Sequence, residues 1–154
     1  MNEQSEASKP IYPPTYVLLS VVLMVSLHLL VPVRQLIVGP SRLLGIIPMA
    51  AGLAVVLWAA RIFRRSETTI KPFENSSTLV LRGPYRVTRN PIYLGMVCAL
   101  AGVAVAAGSA TPFLVVPAFM YLIDRRFIRK EEAMLGQTFG SQYQAYKGKV
   151  RRWL

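Results

Sequence analysis

The apolar residues of this chain fall in long blocks separated by short, strongly charged segments, and that spacing restricts the fold more than any other feature. Crossing ~30 Å of hydrocarbon takes about 20 apolar residues of helix. Backbone polar groups inside that layer must find partners within the protein. The chain is therefore expected to be an all-α integral membrane bundle of about four transmembrane helices. The last two should form a helical hairpin, followed by a cytoplasmic C-terminal helical tail. The composition agrees: 53% of residues are hydrophobic and 16% are charged, against about 25% charged in soluble domains.

The first expected span covers residues 16–33, with Tyr16 as an interfacial aromatic and Arg34 closing the far end. The second covers 43–63. Its Gly45, Ala50, Ala51, Gly52 and Ala54 offer a small-residue surface to another helix, and Arg61, Arg64 and Arg65 end it at the headgroups. A long polar connection, 66–91, contains a Gly83-Pro84 turn and ends at Asn90-Pro91, an N-cap followed by proline at the first helical position. The third span covers 92–108. Residues 108–112 form an uncharged turn. The apolar run 113–123 is too short to cross alone, so its helix should continue through Arg129 into the cytoplasm. Phe139-Gly140 marks a helix end, and Ser141 an N-cap for a last short helix carrying Tyr143 and Tyr146. The whole is one domain, 1–154, with residues 1–15 a mobile, proline-containing tail that lacks the features of a signal peptide.

The net charge of +11 and pI of about 10.4 would fit nucleic acid, but the positions of the charges do not. Of 18 Lys and Arg, 7 lie between Arg61 and Arg89 and 8 between Arg125 and Arg152, directly after apolar blocks. The positive-inside rule accounts for them and puts both termini and both basic segments in the cytoplasm. The expected setting is a bacterial inner membrane, with anionic headgroups against the basic flanks, no nucleic acid, and an oligomeric state left open. The single cysteine, Cys98, and single histidine, His28, argue against a disulfide or a metal centre.

Two segments carry more detail than anchoring needs. One contains Gly83, Tyr85, Arg89, Asn90, Pro91, Tyr93 and Gly95. The other contains Glu131, Glu132, Leu135, Phe139, Gly140, Tyr143 and Tyr146. They flank the two ends of one helical hairpin and so should meet. At this spacing they resemble the paired motifs of the isoprenylcysteine carboxyl methyltransferase and phospholipid methyltransferase superfamily of membrane enzymes. The likeness covers about residues 78–154. It implies S-adenosylmethionine as cofactor and methyl transfer to a hydrophobic or lipid-linked acceptor arriving from the bilayer. It also implies a cofactor site drawn from Tyr85, Arg89, Asn90, Pro91, Tyr93, Gly95, Glu131 and Glu132, with Arg89 and Glu132 nearest the chemistry.

Those residue types suit the ligand. Carboxylates can bind its ammonium or ribose hydroxyls. Arg89 can fork onto a carboxylate, Tyr85 or Tyr93 can face the sulfonium, and a helix N-terminus offers N–H groups to an anion. Plainer roles exist for each. Glu131 and Glu132 can form a solvated face pairing with Arg125, Arg126 or Lys130. Arg82 and Arg86 can anchor to phosphates, Tyr143 and Tyr146 can be interfacial aromatics, His28 can pack in the bundle, and Asp124 can pair with a neighbouring Arg.

The chain departs from the family pattern at Asn90, where much of the family has His. It also lacks the Gly-x-Gly element of the phospholipid branch and has fewer spans than the eukaryotic prenylcysteine enzymes. With no histidine near the site, a base must be Glu, Asp or Tyr, which tilts the acceptor weakly towards a carboxylate. An NADPH-dependent membrane reductase of related fold and a non-catalytic membrane scaffold are the alternatives.

Overall fold

A computed structural model describes residues 12–65 and 78–154. The expected N-terminal tail lies almost wholly outside the described residues, as does the first part of the long connection. Among the described residues the named elements are all helical: α1 (Pro13–Leu30), a 3-10 turn (Gly39–Gly45), α2 (Ile46–Arg65), a 3-10 turn (Gly83–Arg86), α3 (Pro91–Ala107), α4 (Ala110–Ile123), a π turn (Asp124–Ile128) and α5 (Arg129–Lys149).

Prolines set several boundaries. Pro13 and Pro14 take the first two positions of α1, where a missing N–H costs nothing, so the helix starts three residues earlier than expected. It stops at Leu30, ahead of Pro32, because the residue before a proline avoids helical backbone; Val31 has φ −138° and ψ 63°. Pro48 cannot donate to the carbonyl of Leu44, and the turn leading into α2 is accordingly 3-10 up to Gly45. The turn expected at 108–112 is shorter. α4 already begins at Ala110, because a first helical turn tolerates Pro112.

Two segments are long and apolar enough to cross a membrane unaided, Pro13–Leu30 and Gly39–Arg65. α3 has 17 residues and α4 has 14. As expected, the helix of α4 does not stop at the end of its apolar run: it passes through the π turn directly into α5. The outer surface is apolar, with Leu18, Leu29, Leu30, Leu43, Ile47, Leu53 and Trp58 all exposed. Exposed aliphatic surface of this extent marks a contact with lipid or protein, and on a membrane bundle it is the lipid face.

α2, with the 3-10 turn that leads into it, packs antiparallel on α3 through two reciprocal glycine pairs. A Cβ placed on Gly52 would strike the carbonyl of Gly95, and one on Gly45 the carbonyl of Gly102. Helices associate in lipid through close van der Waals contact, and these pairs bring the two backbones together. α1 lies on α3 and α4. The main core joins Met24 of α1, Val97 and Leu100 of α3, Phe119 and Ile123 of α4, and Phe127 and Ile128 of the π turn.

The end of the bundle formed by 31–45 and 108–111 is tied down by polar contacts. His28 Nδ1 and the fully buried Ser109 Oγ are 2.8 Å apart. Thr111 Oγ1 donates to the carbonyl of Val31 at 2.9 Å, satisfying a carbonyl that the end of α1 leaves free.

Candidate functional site

At the opposite end, the N-terminus of α3, the start of α5 and residues 150–153 converge. Asn90 is the N-cap of α3 with Pro91 at the first position, as expected, but its side chain makes no cap. Its Nδ2 donates instead to the carbonyl of Arg152 at 3.1 Å. Thr88 Oγ1 donates to the same carbonyl at 2.9 Å, and the Arg89 N–H to the carbonyl of Arg151 at 2.9 Å. Arg89 Nη1 donates to the carbonyl of Val150 at 2.6 Å. Residues 88–90 thus hold residues 150–152 as a strap across the start of α3. Trp153 secures the strap by packing on the main core.

The strap carries Arg152 to the acidic pair. Glu132 is buried, and Arg89 Nε and Nη2 both donate to its Oε1, at 3.1 and 2.8 Å. Arg152 Nε donates to the same oxygen at 3.1 Å and Arg152 Nη2 to Oε2 at 2.6 Å. Arg152 Nη1 reaches Asp124 Oδ1 at 3.0 Å, and Arg129 Nε reaches Asp124 Oδ2 at 2.8 Å. Burial by itself would raise the Glu132 carboxyl, but hydrogen bonds from Arg152 and Arg89, with their charges, hold it below the usual carboxylate range. The contact with Glu132 raises Arg152 in turn. A solvated face pairing with Arg125, Arg126 or Lys130 is therefore not what Glu132 forms: its partners come from 43 residues upstream and 20 downstream.

Glu131 has a different environment. Tyr93 Oη donates to its Oε1 at 2.7 Å, and Tyr93 stacks loosely on Phe127 within the core. Burial raises the Glu131 carboxyl. The bond from Tyr93 opposes that shift and the charge of Glu132 adds to it. Two adjacent carboxyls are therefore pushed in opposite directions, one towards permanent charge and one towards a held proton.

Gly140 interrupts α5 with φ 48° and ψ −121°, a conformation open to glycine and costly for other residues. The helix break expected at Phe139-Gly140 is there. It turns the following residues back, so that Tyr146 Oη donates to the carbonyl of Tyr85 at 2.6 Å. Tyr143 and Tyr146 are both buried rather than interfacial. The Tyr143 hydroxyl is buried without a hydrogen-bond partner among the described residues. Burial and the charge of Glu132 push it up to about 12, against the opposing pull of Arg89 and Arg152.

Beside this cluster lies an open cleft of about 370 Å³, bordered by Arg129, Glu132, Tyr143, Gln144, Lys147 and Arg152 among others. Small-molecule sites occupy roughly 300–1,000 Å³. Of the residues singled out in the sequence, Glu132 and Tyr143 border the cleft and Arg89 stands behind it. Tyr85 packs with Ala59 and Val80 and against Phe63, and Gly95 lies against α2 as a packing glycine. Arg152 was not among them. No local pattern marks it, because it joins the site only when the strap closes over α3.

A helical membrane bundle with a buried acid–arginine cluster beside a polar cleft is the class that the fold defines. A profile of the family described as phospholipid methyltransferase matches residues 40–142; the chain belongs to that family, and so to the membrane methyltransferases. It is also 36% identical over 63 residues, 41% of this chain and all of the relative, to an uncharacterized protein of Haemophilus influenzae. No solved structure matches it. The family match begins in the 3-10 turn before α2 and ends within α5, ahead of the strap.

Proposed function

We propose that this protein uses S-adenosylmethionine to methylate a hydrophobic or lipid-linked acceptor reached from the bilayer, with the cleft and the basic segments on the cytoplasmic side. The observation that carries this reading is the cleft itself. Its border combines a buried carboxylate, Glu132, a buried tyrosine, Tyr143, and the cations Arg129, Lys147 and Arg152. A ligand with both an ammonium and a carboxylate fits that set of charges.

When bound, the cofactor supplies an electrophilic methyl group on a sulfonium. The protein binds, orients and excludes water. Glu132, held charged by its arginines, would accept hydrogen bonds from the ammonium or the ribose. Tyr143 would offer its hydroxyl to the same ligand. Glu131 and Tyr93 lie on the side of the cluster towards the core, where an acceptor coming from lipid would approach. A carboxylate acceptor needs no base. For an acceptor that must lose a proton, Glu131 in its ionised form would be the base, with Oε1 kept in place by Tyr93.

The test is calorimetric titration of folded protein in mild detergent with S-adenosylmethionine, S-adenosylhomocysteine and NADPH. Saturable binding of the first two, and not of NADPH, is expected. NADPH binding alone, or binding of none, would overturn the proposal. Tyr143→Phe should leave the protein folded and weaken S-adenosylhomocysteine by roughly fivefold, the worth of one hydrogen bond.

A further inference from the structure

We infer that Arg152, not the motif arginine Arg89, is the residue that grips the cofactor's carboxylate, and that Arg89 positions it from behind. The inference rests on the cofactor reading above and assigns the amino-acid end of that ligand to a particular pair of side chains.

Three observations lead to it. The first is commitment. A guanidinium has five N–H groups. Arg89 directs four of them to Glu132, through Nε and Nη2, and to the carbonyls of Val150 and Lys147, through Nη1. Its side chain is 8% exposed, and it does not border the cleft. Arg152 uses three, on Glu132 and Asp124. That leaves two without a partner among the described residues. Its side chain is 31% exposed and borders the cleft.

The second is shape. The ammonium and carboxylate of an α-amino acid sit on one carbon, so their site must present an anion and a cation side by side. Glu132 and Arg152 do so, with Nη2 and Oε2 2.6 Å apart at the cleft border. A zwitterion can lie along that pair, ammonium towards Glu132 and carboxylate towards the free edge of the guanidinium, without breaking either Arg89 contact. Planar forked donors are the usual partners of carboxylates.

The third is support. A guanidinium on a loose tail would lose entropy on binding. Arg152 is not loose: its carbonyl accepts from Thr88 and Asn90, its neighbour Trp153 packs on the core, and Asp124 holds its Nη1. The segment 88–90 thereby acquires a purpose that its sequence did not disclose. It locks the strap, and the strap presents the arginine. Asn90 does this through its amide, a task that needs no titrating ring.

The test compares two ligands on each variant by calorimetry: S-adenosylhomocysteine, and its decarboxylated analogue, which keeps the amine and adenosine and lacks only the carboxylate. Arg152→Gln should weaken the first by about tenfold or more, as loss of a charged hydrogen bond does, and leave the second within about twofold. Arg152→Lys, which keeps the charge and loses the fork, should show a smaller loss with the same selectivity, and it carries the test if the Gln variant fails to fold. Arg89→Gln should weaken both ligands alike, as a positioning residue would. Arg151→Gln, on an exposed neighbour, should change neither. Equal losses for both ligands in the Arg152 variants, or no loss, would overturn the assignment while leaving the cofactor reading standing. If wild type binds neither ligand, the cofactor reading falls and takes this one with it.

Discussion

Replacing Glu132 with Gln removes one negative charge from the centre of a cluster that holds α3, α5 and the strap together. Losing one member of a buried ion pair costs about 3–5 kcal/mol when the other charge stays buried. Arg89 is that other charge, with its side chain 8% exposed. Arg152 is 31% exposed and keeps Asp124, so its share of the loss is small. Glutamine also preserves shape and one acceptor oxygen. The cost should therefore sit near the lower bound, about 3 kcal/mol. At about 2–4 °C per kcal/mol for a chain of this length, Tm should fall by about 6–12 °C at pH 7.

Thermal unfolding in mild detergent, followed by tryptophan fluorescence, measures this, with Trp153 packed against the core beside the strap. The pH dependence gives an independent check. The folded-state pKa of Glu132 is lowered, so its contribution is complete above the ordinary carboxylate value of about 4.3 and is lost as pH falls through the depressed one. The gap between wild type and variant should therefore stay constant from pH 7 to about 5 and narrow below about 4. A Tm change under about 2 °C at pH 7, or a gap that widens in acid, would refute the idea that this carboxylate is the keystone of the cluster.

Glu131→Gln should behave oppositely. Burial raises the Glu131 carboxyl, so its protonated form is the one the fold favours; that stability is complete below the ordinary value and lost as pH rises through the folded one. At pH 8 the Gln variant, which keeps an acceptor for Tyr93, should melt at or slightly above wild type, and a fall of more than about 5 °C would contradict this. Gly52→Ile puts a Cβ against the Gly95 carbonyl and 2.7 Å from the Ala99 nitrogen, contacts that only separation of α2 and α3 relieves. Overpacking of this kind costs about 1–3 kcal/mol. The Tm of purified protein should drop by several degrees, while Gly148→Ala, in open space, should not.

Much of the fold was legible because lipid imposes a simple rule. Apolar length, flanking arginines and proline positions mark where helices run, and boundaries moved by only a few residues where Pro32, Pro48 or Pro112 acted. The small-residue surface around Gly52 was legible too, although its partner was not. Gly95 reads as a motif glycine and proves to be the other half of that contact, because helix pairing depends on which faces meet. The meeting of the two motif segments was also foreseeable, since they flank the ends of one hairpin. Arg152 was not: in the sequence it is one more positive charge in a basic segment.

The sequence by itself determined the solvent of this protein, the number and order of its helices, and the two segments that lie together, because hydrophobic length and backbone hydrogen bonding act locally along the chain. Only the tertiary structure decided the electrostatics. Glu131 and Glu132 are adjacent and chemically alike, yet one is half-buried against Tyr93 and the other is clasped by Arg89 and Arg152. Their opposite shifts come from burial and from charges brought within 3 Å by the start of α3 and by the strap, and no pattern along the chain records that distance.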